Sequence, residues 1–202
     1  MMALRPRIIS LLSSATEILY ALDVQDLLAG VSHECDYPPA ALQKPRVTVS
    51  HIDATLSSNQ IDQQVRDNLK THQSLYGLDH QLISELSPDL IITQAQCEVC
   101  AIHYDEVVEA VATDETLAET KILALQPRCW DDVFRDITAV GAAVGCHEKA
   151  TQLIESLQGR LDRVAKILEE DKVQHPRVVC IEWIEPLMVA GNWVPTLVEL
   201  AG

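Results

Sequence analysis

The chain has 202 residues, of which 48% are hydrophobic and 22% charged, a composition typical of a folded globular protein with a sizeable core. Its 15 lysines and arginines against 30 aspartates and glutamates give a formal net charge of -15. A field of that sign repels phosphate backbones and anionic lipid surfaces, so nucleic acid is not expected as a partner.

The first part of the sequence predicts strand, helix and strand in turn, the opening of a parallel α/β sheet. RIISLL (7–12) is apolar and β-branched, as in a buried strand. Ser14 and Glu17 have the spacing of a capping box, so a helix is expected to begin there. LLAGVS (27–32) is the next strand candidate, and a proline-marked loop follows it over 33–45.

The alternation continues through the middle of the sequence. Ile61, Val65 and Leu69 form one face of a helix, and Asp62 and Arg66 have the i, i+4 spacing of an ion pair. The other segments are a strand at 46–50, a short helix before Ser87, a strand at 89–93, a helix at about 103–113, a strand at 121–125 and a helix at about 130–144. This order predicts the α/β class, with a parallel-sheet, Rossmann-like N-terminal lobe over residues 1–145.

A different pattern begins at about residue 147, where apolar residues step by 4, 3, 4, 3 and 4. The positions are Ala150, Ile154, Leu157, Leu161, Val164 and Leu168. One narrow apolar seam of this length suits a surface helix, and equally a rod that joins two lobes. We assign residues 146–175 to this long linking helix.

Residues 176–202 predict the first βα unit of a second α/β lobe. RVVCIEW (177–183) has the pattern of a strand, and a helix is expected after Pro195. A strand and one or two helical turns do not bury their own apolar faces. We therefore expect that the rest of an incomplete lobe is missing from this chain, or that another surface covers it, for example by self-association.

Polar and sulfur-bearing side chains cluster after two of the predicted strands. VSHECDYPP (31–39) leaves the strand at 27–32, and Cys97 and Cys100 follow the strand at 89–93. Ligands of open α/β folds bind outside the carboxyl ends of the strands, and we expect these loops, leaving adjacent strands, to converge there. The alternative is a plain polar turn, because aspartate and proline are turn formers.

The turn from Cys97 to Cys100 admits four interpretations: half of a zinc site, a redox pair, the wall of a ligand pocket, or two incidental thiols. A structural zinc needs four ligands, and no second close pair of Cys or His occurs. His33 and Cys35 would have to complete such a site through tertiary contact. A zinc or thiol-redox protein that uses these four residues is retained as the alternative function.

Trp183 and Trp193 flank IEPLMVAGN and form either an apolar wall for a flat ligand or part of the second lobe's core. No GxGxxG, P-loop, HExxH or GxSxG motif occurs, and no nucleophile, base and orienting residue are recognisable. A cytidine-deaminase-like site is excluded, because its His-x-Glu and Pro-Cys-x-x-Cys patterns are both broken. We predict a binding protein and not an enzyme.

The chain resembles the cobalamin-binding members of the ABC-transporter substrate-binding proteins with a helical backbone, in a branch where SHECDYP and QCEVCA occur together. The matching segments are RIISLLSSATEILYAL, GVSHECDYPP, ELSPDLIITQ, the linking helix and EPLMVAGNWVPTLVELAG. The resemblance covers almost all of the chain. It implies two α/β lobes joined by one rigid helix, with cobalamin, another corrinoid or a related metal chelate such as haem or a siderophore held between them and delivered to a membrane permease.

The resemblance also implies roles for individual residues, without a required cofactor. Ligand contacts are implied for Ser13, Asp36 and Tyr37 on the first-lobe rim, Gln94, Gln96 and the rest of the segment to Cys100 on the opposing loop, and Trp183 and Trp193 on the second lobe. His33, Cys35, Cys97 and Cys100 are the side chains that would reach a metal centre. Members engage permease arginines through a surface acid on each lobe, and Asp105 or Glu106 is the corresponding first-lobe candidate.

Two features of the sequence lead to different expectations for the cellular compartment. MMALRPRIISLLSSATEIL lacks the basic segment, long apolar core and cleavage site of a secretory signal, so the sequence as written predicts a cytoplasmic protein. Family members that work outside the membrane carry a signal or lipid anchor, which implies a periplasmic or cell-surface protein if the gene start omits one. No stretch approaches the roughly 20 apolar residues that span a bilayer, so an integral membrane protein is not expected.

Overall fold

The computed structural model describes residues 5–71, 74–96, 101–171 and 175–202. The strands are β1 (Ile8–Ser10), β2 (Leu28–Val31), β3 (Thr48–Ser50), β4 (Tyr76–Leu78), β5 (Leu90–Gln94), β6 (Lys121–Leu125), β7 (Ile181–Trp183) and β8 (Met188–Val189). The helices are α1 (Ser13–Ala21), α2 (Ser58–Lys70), α3 (His80–Leu86), α4 (Tyr104–Thr113), α5 (Trp130–Ala143), α6 (His147–Asp171) and α7 (Val194–Leu200).

The first lobe is built on a four-stranded parallel sheet in the order β2-β1-β5-β6. The predicted α/β class with a parallel sheet is confirmed. β1 separates β2 from β5, so the expectation that the two candidate loops leave adjacent strands is wrong. The chain moves to one side of β1 for β2 and to the other side for β5 and β6. The space outside the carboxyl ends of β1 and β5 is therefore a topological switch point of the sheet.

Both faces of this sheet are buried. Ile8 and Ile92 belong to a cluster with α1, α5 and the first turn of α6, whereas Ile9 and Ile91 belong to a second cluster with α3 and α4. Alternate side chains of a strand point to opposite faces, so the uninterrupted apolar runs of β1 and β5 follow from burial on both sides. Each such side chain contributes about 1.5–3 kcal/mol on burial.

The helix starts agree only in part with the predicted caps. The first helix begins at Ser13 with Leu12 as N-cap and no side-chain cap, so the predicted box of Ser14 and Glu17 is wrong. Capping boxes form instead at Ser57, which starts α2, and at Cys129, which starts α5. On that helix the predicted ion pair forms, with Arg66 Nε 2.7 Å from Asp62 Oδ2.

The helix α6 spans 25 residues, about 37 Å at 1.5 Å per residue. Its first turns pack on the first lobe, where Ala150 is buried and Ile154 packs against the core. Gly141 of α5 permits this packing, because a Cβ there would lie 2.5 Å from the Ala150 Cβ. Farther along, Val164 of the predicted seam is 40% exposed. The long helix is therefore confirmed, and its seam is covered mainly in its first half.

The segment after α6 forms a hairpin and a short helix. The strand expected at 177–183 forms only over β7, which pairs antiparallel with β8. The ladder is short because β8 has only two residues. Several apolar side chains of this segment face outward, among them Val179 at 74% and Ile184 at 74% exposure. None of the helices formed by the described residues combines the length and apolar character needed to cross a bilayer.

Candidate functional site

A cavity of about 70 Å³ lies at the carboxyl edge of the first-lobe sheet. Its walls come from 11–13 after β1, 32–34 after β2 and 101–102 after β5, together with Thr48 of β3. Residues that follow β2 and β5 therefore line one cavity although the two strands are not neighbours. Sites of this kind form at switch points because chain segments diverge there and leave a crevice.

The SHECDY loop (residues 32–37) is held from beneath by Arg46. One guanidinium nitrogen, Nη1, donates to Ser32 O at 2.6 Å and to Cys35 O at 2.7 Å. Hydrogen bonds from a charged donor are the stronger kind, roughly 1.5–3 kcal/mol each. This contact fixes both ends of the turn before Asp36.

The other polar groups of the loop are bonded to the same framework. Ser13 Oγ, at the start of α1, donates to Glu34 O at 2.9 Å. The Glu34 amide donates to Ser32 Oγ at 3.1 Å, and the His33 amide donates to Thr48 Oγ1 at 2.9 Å. A loop bonded in this way is ordered before a ligand arrives, which lowers the entropic cost of binding.

His33 has one ring nitrogen bonded to Thr48 and the other beside the Glu34 carboxylate. Nδ1 lies 2.7 Å from Thr48 Oγ1, and the ring stacks on Tyr76 with centroids 5.3 Å apart. Nε2 is buried, and Glu34 Oε1 lies 3.2 Å away from it in an ion-pair contact. Burial lowers the His33 pKa, and the Glu34 charge opposes that effect, so the ring is neutral at pH 7.

The contact with Glu34 also indicates where the imidazole proton resides. An Nε2 lone pair that faced a carboxylate oxygen at 3.2 Å would be repelled by it. The Nε2–H tautomer avoids that repulsion and leaves Nδ1 to accept from the Thr48 hydroxyl. The Nε2–H of His33 is therefore directed at the Glu34 carboxylate.

Cys35 lies on the opposite side of the sheet from His33. Its side chain is fully buried in the cluster that contains Ile8, and its Sγ is 3.1 Å from Thr16 Oγ1. The Tyr76 ring that stacks on His33 packs against the other cluster. The two predicted metal ligands therefore contact different apolar clusters, and Cys35 is a core side chain.

Asp36 and Tyr37 extend from the held loop into solvent, and Tyr37 is 62% exposed. Tyr37 and Pro38 form part of the wall of an open apolar groove between α1, α5 and α6. An exposed ring on a rigid loop is a suitable contact for a flat ligand.

Gln94 ends β5 and is 8% exposed, with its Oε1 accepting from the Gln96 amide at 2.7 Å. The Gln96 side chain is exposed. Cys97 and Cys100 lie outside the described residues. Within the ranges that the structure describes, no group of three or more His, Cys, Asp and Glu side chains is arranged to hold a metal ion.

The remaining predicted residues lie away from the cavity wall. Trp183 and Trp193 are half-buried in the segment after α6, and Trp183 Nε1 donates to Glu185 O at 3.0 Å. Asp105 is exposed and Glu106 half-buried in the first turn of α4. Acids are favoured there by the helix dipole, so their position has a structural cause independent of any partner.

Four polar residues that line or hold the site were not among those predicted to bind ligand: Ser32, Glu34, Arg46 and Thr48. Glu34 lies within the SHECDY loop, so its place in that motif was a usable signal. Arg46 and Thr48 act through hydrogen bonds to main-chain atoms some 11 to 15 residues earlier. No sequence pattern marks such contacts, because they depend on how the chain returns to the sheet.

Comparison with known proteins identifies one family. The family described as periplasmic binding protein matches residues 8–201 of this chain. No curated protein sequence matches it significantly.

Solved structures of such proteins share the fold. The periplasmic vitamin B12 binding protein BtuF of Vibrio cholerae is 24% identical to this chain, with a TM-score of 0.66. The match covers 98% of this chain and 64% of the BtuF chain. The periplasmic heme-binding protein RhuT of Roseiflexus sp. RS-1 is 20% identical with a TM-score of 0.66 and the same coverage. The periplasmic heme-binding protein HutB of Vibrio cholerae is 16% identical with a TM-score of 0.64, covering 98% and 65%. The chain thus spans 64–65% of their length, just under two-thirds.

Proposed function

Because the chain belongs to the periplasmic binding protein family, a family of ligand-binding proteins and not of enzymes, we propose that it is the substrate-binding component of an ABC-type uptake system. Its ligand is cobalamin, a related corrinoid or another flat metal chelate. The ligand lies against the carboxyl edge of the first-lobe sheet. A place outside the cytoplasmic membrane, in the periplasm or at the cell surface, accompanies this role.

The observation that carries the proposal is the rigid SHECDY loop at a switch-point cavity. Arg46 and Ser13 hold its main chain, while Tyr37 is left 62% exposed beside them. A fixed, exposed aromatic ring on a loop that also lines a small cavity suits a ligand that has one broad face and polar substituents. Neighbours of the same fold are named for binding vitamin B12 or heme, which are ligands of this shape.

The ligand contacts proposed in the first lobe are Ser13, Asp36, Tyr37, Gln94 and Gln96. Trp183 and Trp193 are proposed for the segment after α6. Asp105 and Glu106 are proposed as the permease contact, supported by the exposure of Asp105 on the first turn of α4.

Thermal melting of the complete gene product with a ligand panel tests this function. Cobalamin at about 100 times its Kd is expected to add ~2.7 kcal/mol and to raise the Tm by about 5–10 °C. Haem and a ferric siderophore in the same panel distinguish the chelate classes. Unchanged Tm and unchanged visible spectra with all three ligands would reject the proposal.

The zinc or thiol-redox alternative gains no support from the described residues, since Cys35 is a core side chain on the other face from His33. It stays a prediction for Cys97 and Cys100. Elemental analysis of purified protein, with Cys97→Ser as the comparison, tests it. One zinc per chain that is lost in Cys97→Ser would favour it over the transport role.

A further inference from the structure

The segment between β3 and β4 leaves the first lobe at the edge of the sheet that holds the cavity. Thr48 of β3 lines that cavity. Val31 pairs in parallel with Arg46, two residues before β3 begins, so β3 runs in the same direction as β2. Its carboxyl end therefore lies at the same edge as the carboxyl ends of the sheet. We call the following residues 51–71, which contain α2, the strap.

The strap is bonded mainly to itself and to its own base. The His51 amide donates to Leu75 O at 2.9 Å, where the chain returns to β4. Gln64 of α2 bonds back to the start of the strap, because its Nε2 donates to His51 O at 3.4 Å and its Oε1 accepts from the Asp53 amide at 3.2 Å. None of the residues of α2 is buried. A segment with so little burial can move as a unit about its two ends.

The far side of the strap meets the hairpin segment. Among the hydrogen bonds and ion pairs of the described residues, one joins the strap to a residue outside 50–75: Asn59 Nδ2 donates to Glu185 Oε1 at 2.9 Å. The main-chain carbonyl of Glu185 accepts from Trp183 Nε1 at 3.0 Å. The strap thus runs from the cavity edge of the first lobe to the neighbourhood of Trp183, a proposed ligand contact on the other side.

We propose that the strap closes the opening between the first lobe and the hairpin segment, and that breaking the bond from Asn59 to Glu185 opens it for ligand to enter and leave. Both groups are exposed, so water competes for them and the bond breaks readily. The proposal rests on the proposed function and adds to it. Neither residue is a proposed ligand contact, so the strap controls the rates of ligand exchange and not the affinity.

Stopped-flow absorbance of the complete gene product with cobalamin measures the rates of association and dissociation. Asn59→Ala is expected to raise both rates about threefold and to leave the Kd unchanged, because the strap is then open about three times as often. Glu185→Ala keeps the main-chain carbonyl that Trp183 bonds, and is expected to have the same effect. The double variant should be no faster than either single variant, since all three lack the same bond.

Asn68→Ala is the matched control, because it removes the same type of residue from the other end of α2. It is expected to leave both rates at the wild-type values. Equal rates for Asn59→Ala and Asn68→Ala would overturn the strap and leave the transport role intact. Faster dissociation alone, with a weaker Kd, would also overturn it, because Asn59 would then contact the ligand. Failure of the wild type to bind cobalamin would reject the proposed function, and the strap with it.

Discussion

Arg46 holds two carbonyls of the SHECDY loop with one guanidinium nitrogen, at 2.6 and 2.7 Å. Arg46→Met keeps the aliphatic stem but leaves both partly buried carbonyls without that donor. We expect it to lower the free energy of unfolding by about 2–3 kcal/mol and to speed amide hydrogen exchange at residues 33–35. Urea unfolding and hydrogen exchange measure the two effects.

Arg135→Met is the matched control, because Arg135 is exposed and pairs with Asp132 on the helix surface. Its cost is expected to stay below about 1 kcal/mol, with no change in exchange at residues 33–35. Equal costs for the two variants would show that Arg46 does not hold the loop.

Asp136 of α5 has a raised pKa, about 6, chiefly because burial disfavours its charge and secondly because Asp132 is close. The folded state therefore binds more protons than the unfolded state between about pH 4 and pH 6, and stability falls as pH rises through that window. At pH 7 the free energy of unfolding of Asp136→Asn is expected to exceed that of the wild type by about 1 kcal/mol. This value is small because Asp136 is only partly buried and solvent screens its charge. Near pH 4 the two proteins are expected to be equally stable.

Urea unfolding of both proteins at the two pH values measures this difference. Asp162→Asn, at an exposed position of α6, should show the same offset from wild type at both. An offset for Asp136→Asn that does not depend on pH would contradict the account of its environment.

Two glycines show how closely α5 and α6 pack against each other. A Cβ at Gly141 would lie 2.5 Å from Ala150 Cβ, whereas a Cβ at Gly159 meets nothing within 4 Å. Gly141→Ala is expected to cost about 1–3 kcal/mol by forcing the helices apart, and Gly159→Ala to gain about 0.5–1 kcal/mol from helix propensity. Thermal unfolding measures both, and stabilisation by both variants would mean that the helices do not cross this closely.

Long apolar runs and helical periodicity were sufficient to predict most of the fold. β1, β5, β6 and the helices α4 to α6 were each predicted because burial on one or two faces imposes a pattern on the sequence. The short strands β4 and β8 were missed. They are too short for a period, and β4 contains a glycine and half-buried side chains, so ladder pairing and not local pattern determines them.

The site was predictable in position and not in detail. Strand ends indicated the edge of the sheet at which 32–34 and 101–102 line one cavity. The sequence does not show that the side chains of His33 and Cys35 contact different apolar clusters of the sheet. Residues two apart share a face in a strand, but these two lie in a turn, where that rule does not hold. It also does not show that Arg46 returns to bond the loop.

The hairpin segment that follows α6 touches the first lobe directly as well as through α6. Asn59 Nδ2 donates to Glu185 Oε1 at 2.9 Å, and both residues are exposed. A double-mutant cycle with Asn59→Ala and Glu185→Ala is expected to give a coupling below about 1 kcal/mol, because water competes for both groups. A coupling well above that value would mean that the contact locks the two parts together.

We propose that a flat corrinoid-type ligand rests on the SHECDY loop, and a titration of the complete gene product with cobalamin tests this claim. We predict saturable binding at one ligand per chain, weakened at least about tenfold by Tyr37→Ala through loss of the stacking surface. Leu69→Ala removes another exposed apolar side chain, from α2, and should leave the affinity unchanged. No binding by the wild type, or equal affinities for wild type and Tyr37→Ala, would contradict the claim.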